Sequence, residues 1–308
     1  MSLGMSNEVN VCREKSSALN WFPNKTTEAT FTFGSFDVVG FLRRTARFSW
    51  QYKAIDGNWT DMKNYPFVTI YFIPSCPNAP WEVNKDNDRQ NPWSDVLDML
   101  LDWGIKGKTI TNDISSQITT YINSSINFTY DTNGGGSTIL SSDNILKCTK
   151  FVNDVKNGNQ MIGNCSDCAT LVRTFSNILG ANLIQIRFGI AYFACNKIIT
   201  IGSDKWKYPF EDFGSRGFGY HEIASTGTTH ESRIYDACLK VNKNALKPNA
   251  AMVAELPADT QFALFKDGEY SRSLTSSDNI KYREKLIYNS VTDLNNGSIT
   301  GTRECSII

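Results

Sequence analysis

Apolar residues recur at offsets of three and four through Cys168, Leu171, Val172, Phe175, Ile178 and Leu179. This is helical spacing with one buried face, and it predicts a helix of about four turns. Both ends of the helix are marked. Asn164 can cap the first turn with Asp167 three positions on, and Gly180 supplies the left-handed residue that stops it. The same spacing predicts a helix through Trp93, Val96, Leu97, Leu100 and Leu101 that ends near Gly104, and another through Ile114, Ile118, Tyr121 and Ile122.

Period-two alternation predicts strands. Phe31 and Phe33 alternate with threonine, and Phe48, Trp50 and Tyr52 alternate with polar residues before the turn signal Asp56-Gly57. Phe67 to Ile73 is apolar apart from Thr69 and is bounded by Pro66 and Pro74, which predicts a strand buried on both sides. Further β-rich stretches are Leu183 to Ile190, Gly219 to Ala224 and Arg233 to Leu239.

Residues 1–90 therefore read as a β-rich N-terminal domain, a small sandwich or sheet layer. The proline- and asparagine-dense segments Ser75 to Pro80 and Asn84 to Asn91 mark the connection. Residues 91–245 mix helices and strands, an α+β pattern, and 246–308 read as an extension packed on that core. The extension carries aromatics at Phe262, Phe265 and Tyr270 and an amphipathic stretch from Tyr282 to Tyr288. Gly134-Gly135-Gly136 has neither the lysine nor the strand-to-helix setting of a phosphate loop and reads as a flexible turn.

Composition narrows the function classes. A hydrophobic content of 41% with 20% charged residues suits a globular protein with a sizeable core. Lys+Arg and Asp+Glu balance at 31 each, so no global field draws in nucleic acid or an anionic membrane surface. No apolar run is long enough to span a bilayer. Met1 to Gly4, ahead of Met5, read as an appended leader, so the lack of a signal-type start says little and the compartment stays open. The eight cysteines are irregularly spaced and outline no disulfide framework. Asn-x-Ser/Thr sequons at Asn24, Asn58 and Asn127 are expected by chance in a chain this rich in Asn, Ser and Thr. Cys305-Ser306-Ile307-Ile308 has the outline of a prenylation box, but it lacks the basic run before it and the aliphatic residue after the cysteine, and reads as a tail.

Helical phasing puts Cys165 at the first helical position, where unpaired amides and the positive end of the helix dipole favour a thiolate. The stretch Gly163-Asn164-Cys165-Ser166-Asp167-Cys168-Ala169-Thr170-Leu171, running to Leu179-Gly180 and a following strand, resembles the nucleophile helix of the transglutaminase-like superfamily. The resemblance covers about residues 91–245 and implies a papain-like cysteine-proteinase core. Cys165 matches the nucleophile, Cys168 a packing position, His221 the histidine opening a strand, and Asp236 the acid on the next one. Glu222 and Ile223 stand where the family has a small and an aromatic residue, and Ala237 stands where proline often follows the acid.

The resemblance implies acyl transfer or hydrolysis on protein or peptide amides through a thioester, as protease, deamidase or transglutaminase, with no cofactor and no metal. Cys165 would attack, His221 would shuttle the proton, and Asp236 would orient the histidine. The Cys165 amide would serve as one oxyanion donor, with Trp93 and Trp103 as candidates for the second, although both also read as core aromatics. His230, in a Ser/Thr-rich turn, is the alternative base. Two competing readings remain: an inactive module of this fold that binds protein or glycan, and a Cys165-x-x-Cys168 redox or metal pair, for which no second close pair exists.

Overall fold

A computed structural model describes residues 2–4, 40–49, 51–53, 57–61, 67–81, 93–228, 232–241, 264–269, 282, 286–288, 292, 297 and 299–308. The chain opens with β1 (Ser2–Gly4), β2 (Leu42–Ser49), β3 (Gln51–Lys53), β4 (Trp59–Asp61) and β5 (Phe67–Phe72). β1, β2 and β5 form an antiparallel sheet in that order, and β3 pairs with β4 across Gly57, whose φ of 80° is the left-handed turn expected there. Phe31, Phe33, Trp50 and Asp56 lie outside the described residues. β5 departs from expectation: Phe67 is 70% exposed, Val68 and Thr69 are exposed, and Ile70 to Phe72 are half-buried. An apolar run bounded by prolines fixes a strand, but it does not supply layers to cover both faces.

The helices follow as α1 (Ser94–Leu100), running into a wider π turn at Leu101–Ile105, and α2 (Thr111–Ser125). Gly104 adopts φ 75° within that turn, which ends the first helix where the sequence places it. Next come β6 (Phe128–Tyr130), β7 (Ile145–Leu146), α3 (Cys148–Asn157), β8 (Met161–Gly163) and α4 (Cys165–Asn177). α3 was not among the predicted elements. Its apolar stripe is short, with Phe151 and Val152 buried, and its clearest signal is Gly158 in the left-handed conformation just past its end.

Ten further strands follow among the described residues: β9 (Ile184–Phe188), β10 (Phe193–Ala194), β11 (Ile198–Thr200), β12 (Gly217–Phe218), β13 (His221–Ser225), β14 (Arg233–Tyr235), β15 (Leu239–Val241), β16 (Leu264–Glu269), β17 (Ile299–Arg303) and β18 (Ser306–Ile307). The largest sheet is antiparallel in the order β16-β14-β13-β9-β17. The segment after residue 246 thus supplies both edge strands of this sheet. Cys305 is likewise buried, and β18 pairs in parallel with β7, so the C-terminal residues are part of the fold and not a loose tail. Mixed helices and small sheets make the protein α+β. Among the described residues no helix is long and apolar enough to cross a membrane.

α4 is the centre of the molecule. The apolar stripe predicts one buried face, yet all thirteen residues of the helix are buried. Its apolar side joins the core cluster through Leu171, Val172 and Phe175. Part of its polar side is matched: Thr170 Oγ1 donates to Gln185 Oε1 at 2.9 Å, Asn177 Nδ2 donates to the carbonyls of Ala79 and Leu183, and the Thr174 carbonyl accepts from Trp81 Nε1 at 2.7 Å, whereas Ser166 Oγ, Arg173 Nε and Nη1, Thr174 Oγ1 and Ser176 Oγ are buried without a hydrogen-bond partner. Satisfied polar groups tolerate burial that orphaned ones do not. Phe41 and Trp81 belong to the same core, and Asp98 of α1 accepts from Arg43 and Tyr71, so the first sheet is tied to the helices. Gly180 ends the helix with φ 89°, and a Cβ there would lie 2.3 Å from that of Ser75, so this turn needs glycine on two counts.

Candidate active site

The β8-to-α4 junction sets the position of Cys165. Asn164 is extended and its Oδ1 accepts from Ser166 N at 2.8 Å and Asp167 N at 3.4 Å, while Asp167 Oδ2 accepts from Asn164 N at 2.7 Å. This is the capping box anticipated from sequence. The glycine turn adds a role that the sequence did not disclose: the Gly135 carbonyl accepts from Asn164 Nδ2, and Ser137 Oγ donates to Asp167. The turn reads as flexible in isolation, but it clamps both members of the cap. Burial raises the Asp167 pKa to about 6, against the opposing hydrogen bonds from Ser137 and the Asn164 and Leu140 amides. The Cys165 backbone N–H makes no hydrogen bond among the described residues, as is ordinary for the first amide of a helix.

β13 presents His221 and the end of β14 presents Asp236. His221 Nε2 donates to Asp236 Oδ2 at 2.8 Å. Asp236 Oδ1 accepts from Cys238 N at 2.7 Å, and Tyr282 donates its hydroxyl to Oδ2. Tyr282 was missed as a site residue. It belongs to a stretch of weak periodicity, and nothing in its neighbours signals a partner some 46 residues back. The His221 ring sits between Phe188 and Phe218, with centroids 5.3 and 5.2 Å away.

His221 Nδ1 is buried and has no hydrogen-bond partner. The Cys165 thiol lies close enough to this ring to raise its pKa, although no formed hydrogen bond reaches Nδ1. Burial disfavours the charged ring, yet Asp236 and then Cys165 outweigh it and lift the pKa to about 10. At neutral pH His221 is therefore an imidazolium with one proton held by Asp236 and the other beside the thiol.

The structure brings together Cys165, His221 and Asp236, exposed by 4%, 0% and 2%. His230 lies outside the described residues. Trp93 and Trp103 are elsewhere. Trp103 stacks on Tyr121 and meets Phe175 edge-on, ten residues along α4, or about 15 Å of helix, from Cys165. Trp93 packs edge-on against Trp81, whose indole binds the Thr174 carbonyl in the same half of the helix. Both are core aromatics. Cys168 is buried beside Cys238, and burial keeps both thiols above their usual pKa. Cys165 and Cys168 form no disulfide, and no group of three or more potential metal ligands occurs among the described residues.

A cleft of about 690 Å³ opens along β9 and β17, lined by Arg187, Glu222, Thr302, Arg303 and Glu304 among others, and none of the three site residues lines it. Size alone does not locate the chemistry here. Glu222 follows His221 on β13, and strand alternation sends the two side chains to opposite faces.

No family model, curated protein or solved structure matches the chain.

Proposed function

We propose that the protein is a cysteine acyl-transfer enzyme, of transglutaminase-like type, that acts on protein or peptide amides through a Cys165 thioester. One observation carries the reading: His221 gives Nε2 to Asp236 and leaves a buried, unpartnered Nδ1 beside a thiol at a capped helix start. Buried polar atoms normally find partners, and an imidazole nitrogen left open toward a thiol is what proton sharing requires. The Cys165 thiolate would attack the amide carbon, His221 would protonate the departing amine or ammonia, and water or a lysine amine would resolve the thioester. Hydrolysis is favoured over cross-linking, because water needs no dedicated acceptor site.

The burial of all three residues supports a second reading, an inactive module of the same fold in which the pair is structural. Iodoacetamide alkylation of each cysteine across pH, read by peptide mass spectrometry, separates the two. Under the enzyme reading Cys165 alone reacts quickly at neutral pH, and His221→Ala moves its profile to higher pH. A Cys165 that reacts no faster than Cys168 or Cys238, and is indifferent to His221, leaves only the binding module.

A further inference from the structure

Amide attack creates an alkoxide that needs two donors, and the Cys165 N–H accounts for one. The β6–β8 pairing brings a second donor to the same place. Tyr130 is the register partner of Gly163, two residues before the nucleophile. The backbone there is fixed: Tyr130 N donates to Ile201 O at 3.0 Å and Asp131 N to Gly163 O at 2.8 Å. A chain of rings links the side chain to the histidine, from Tyr130 to Phe210 at 6.1 Å, Phe210 to Phe218 at 5.6 Å and Phe218 to His221 at 5.2 Å.

The hydroxyl is the unusual part. Tyr130 is only 5% exposed and its O–H has no hydrogen-bond partner among the described residues; the oxygen is not one of the fully enclosed polar atoms, so it is the reachable tip of a buried ring, open to a ligand. Tyr235 bonds Asn112 and Tyr282 bonds Asp236, so the contrast is internal to this molecule. Burial first, and then the neighbouring Cys165 ahead of Cys238 and Cys168, push the phenol well above its ordinary pKa. The group therefore stays protonated at neutral pH.

We propose that Tyr130 is the second oxyanion donor and touches the substrate carbonyl oxygen during attack by Cys165. This rests on the acyl-transfer reading above. The thiolate forms the S–C bond, the carbonyl π pair moves to oxygen, and that oxygen accepts from the Tyr130 hydroxyl and the Cys165 amide. On collapse the C=O re-forms, the C–N bond breaks, and the leaving nitrogen takes the proton from His221. Tyr130 keeps its own proton throughout.

The test compares two reagents on full-length parent and Tyr130→Phe protein. p-Nitrophenyl acetate acetylates Cys165 through an oxyanion; iodoacetamide alkylates it by displacement and forms none. Phenylalanine keeps the ring and removes only an unpaired hydroxyl, so folding is preserved. The expected result is acetylation slowed about 100-fold with alkylation at the parent rate. If both rates match the parent, Tyr130 is packing alone and the proposal is overturned while acyl transfer stands. If both fall together, the phenol acts on the thiolate and the oxyanion role is again overturned. If neither reagent prefers Cys165 in the parent, acyl transfer itself fails and the donor role with it.

Discussion

His221 and Glu222 are neighbours on β13, both fully buried and both ionisable, and the chain deals with them in opposite ways. Glu222 Oε2 accepts from Gln185 Nε2 at 2.6 Å, and its Oε1 lies 2.8 Å from Arg303 Nη2, although the latter contact is not aligned as a hydrogen bond. Gln185 passes the network on to Thr170 of α4. That side fastens the central helix to the sheet. On the other face His221 is secured at one nitrogen only, and the free nitrogen is left where the thiol is. A buried charge with its partners around it serves stability; under the acyl-transfer proposal, one with an unpaired N–H beside Cys165 serves chemistry.

The sharpest way to break this comparison is to remove each charge in turn. His221→Gln should lower acyl transfer by about 10³-fold, because the proton shuttle is lost. Its effect on stability should depend on pH. The folded pKa of about 10 lies above the unfolded value of 6.5, so the ring's contribution is fully present below 6.5 and is lost as pH rises through about 10. Urea midpoints of parent and His221→Gln should therefore converge toward alkaline pH; a constant gap would mean that the ring is not charged in the fold. Glu222→Gln should do the reverse. It leaves Arg303, which is 22% exposed, without its counter-charge, and should cost about 1–3 kcal/mol in urea unfolding. Rate per folded molecule should be unchanged.

Local features of this site were legible, and tertiary ones only in part. Asn164, Asp167 and Gly180 announce the ends of α4 because caps are local chemistry, and the first helical position of Cys165 follows from them. His221 and Asp236 could be picked out only through a family resemblance. No spacing rule makes residues on adjacent strands meet; the β13–β14 pairing does that. Tyr130 and Tyr282 were out of reach for the same reason. The polar side of α4 misled in a different way: the stripe predicts one buried face, because a sequence pattern cannot foresee Gln185 arriving to meet Thr170 or the Ala79 carbonyl to meet Asn177.

Asn164→Ala tests whether the cap belongs with the fastening or with the chemistry. It removes the acceptor for two helix amides and the tie to Gly135, and should cost about 1 kcal/mol of stability. Because the cap sets the direction of the Cys165 amide, acetylation by p-nitrophenyl acetate should slow more than alkylation does. Equal slowing would place the cap wholly on the structural side.

The smallest effect is expected at Tyr282, and it bears on the comparison most directly. The phenol donates to the same Asp236 oxygen that receives His221, so it spreads the carboxylate's charge and fixes its direction. Tyr282→Phe removes one hydrogen bond of about 1 kcal/mol, roughly fivefold in kcat, with KM unchanged. A structural bond of that strength would lower the unfolding midpoint and do nothing else. A positioning bond has a second consequence with a definite sign. With Cys238 N and His221 as the remaining donors, Asp236 holds more negative charge toward the ring, so His221 keeps its proton to higher pH and the alkaline limb of the rate profile moves upward. A fall in midpoint with the limb unmoved would assign Tyr282 to the fastening, alongside Glu222 and Gln185. A limb that moves with KM constant would make the His221 face of β13 a three-residue relay from phenol to carboxylate to imidazole.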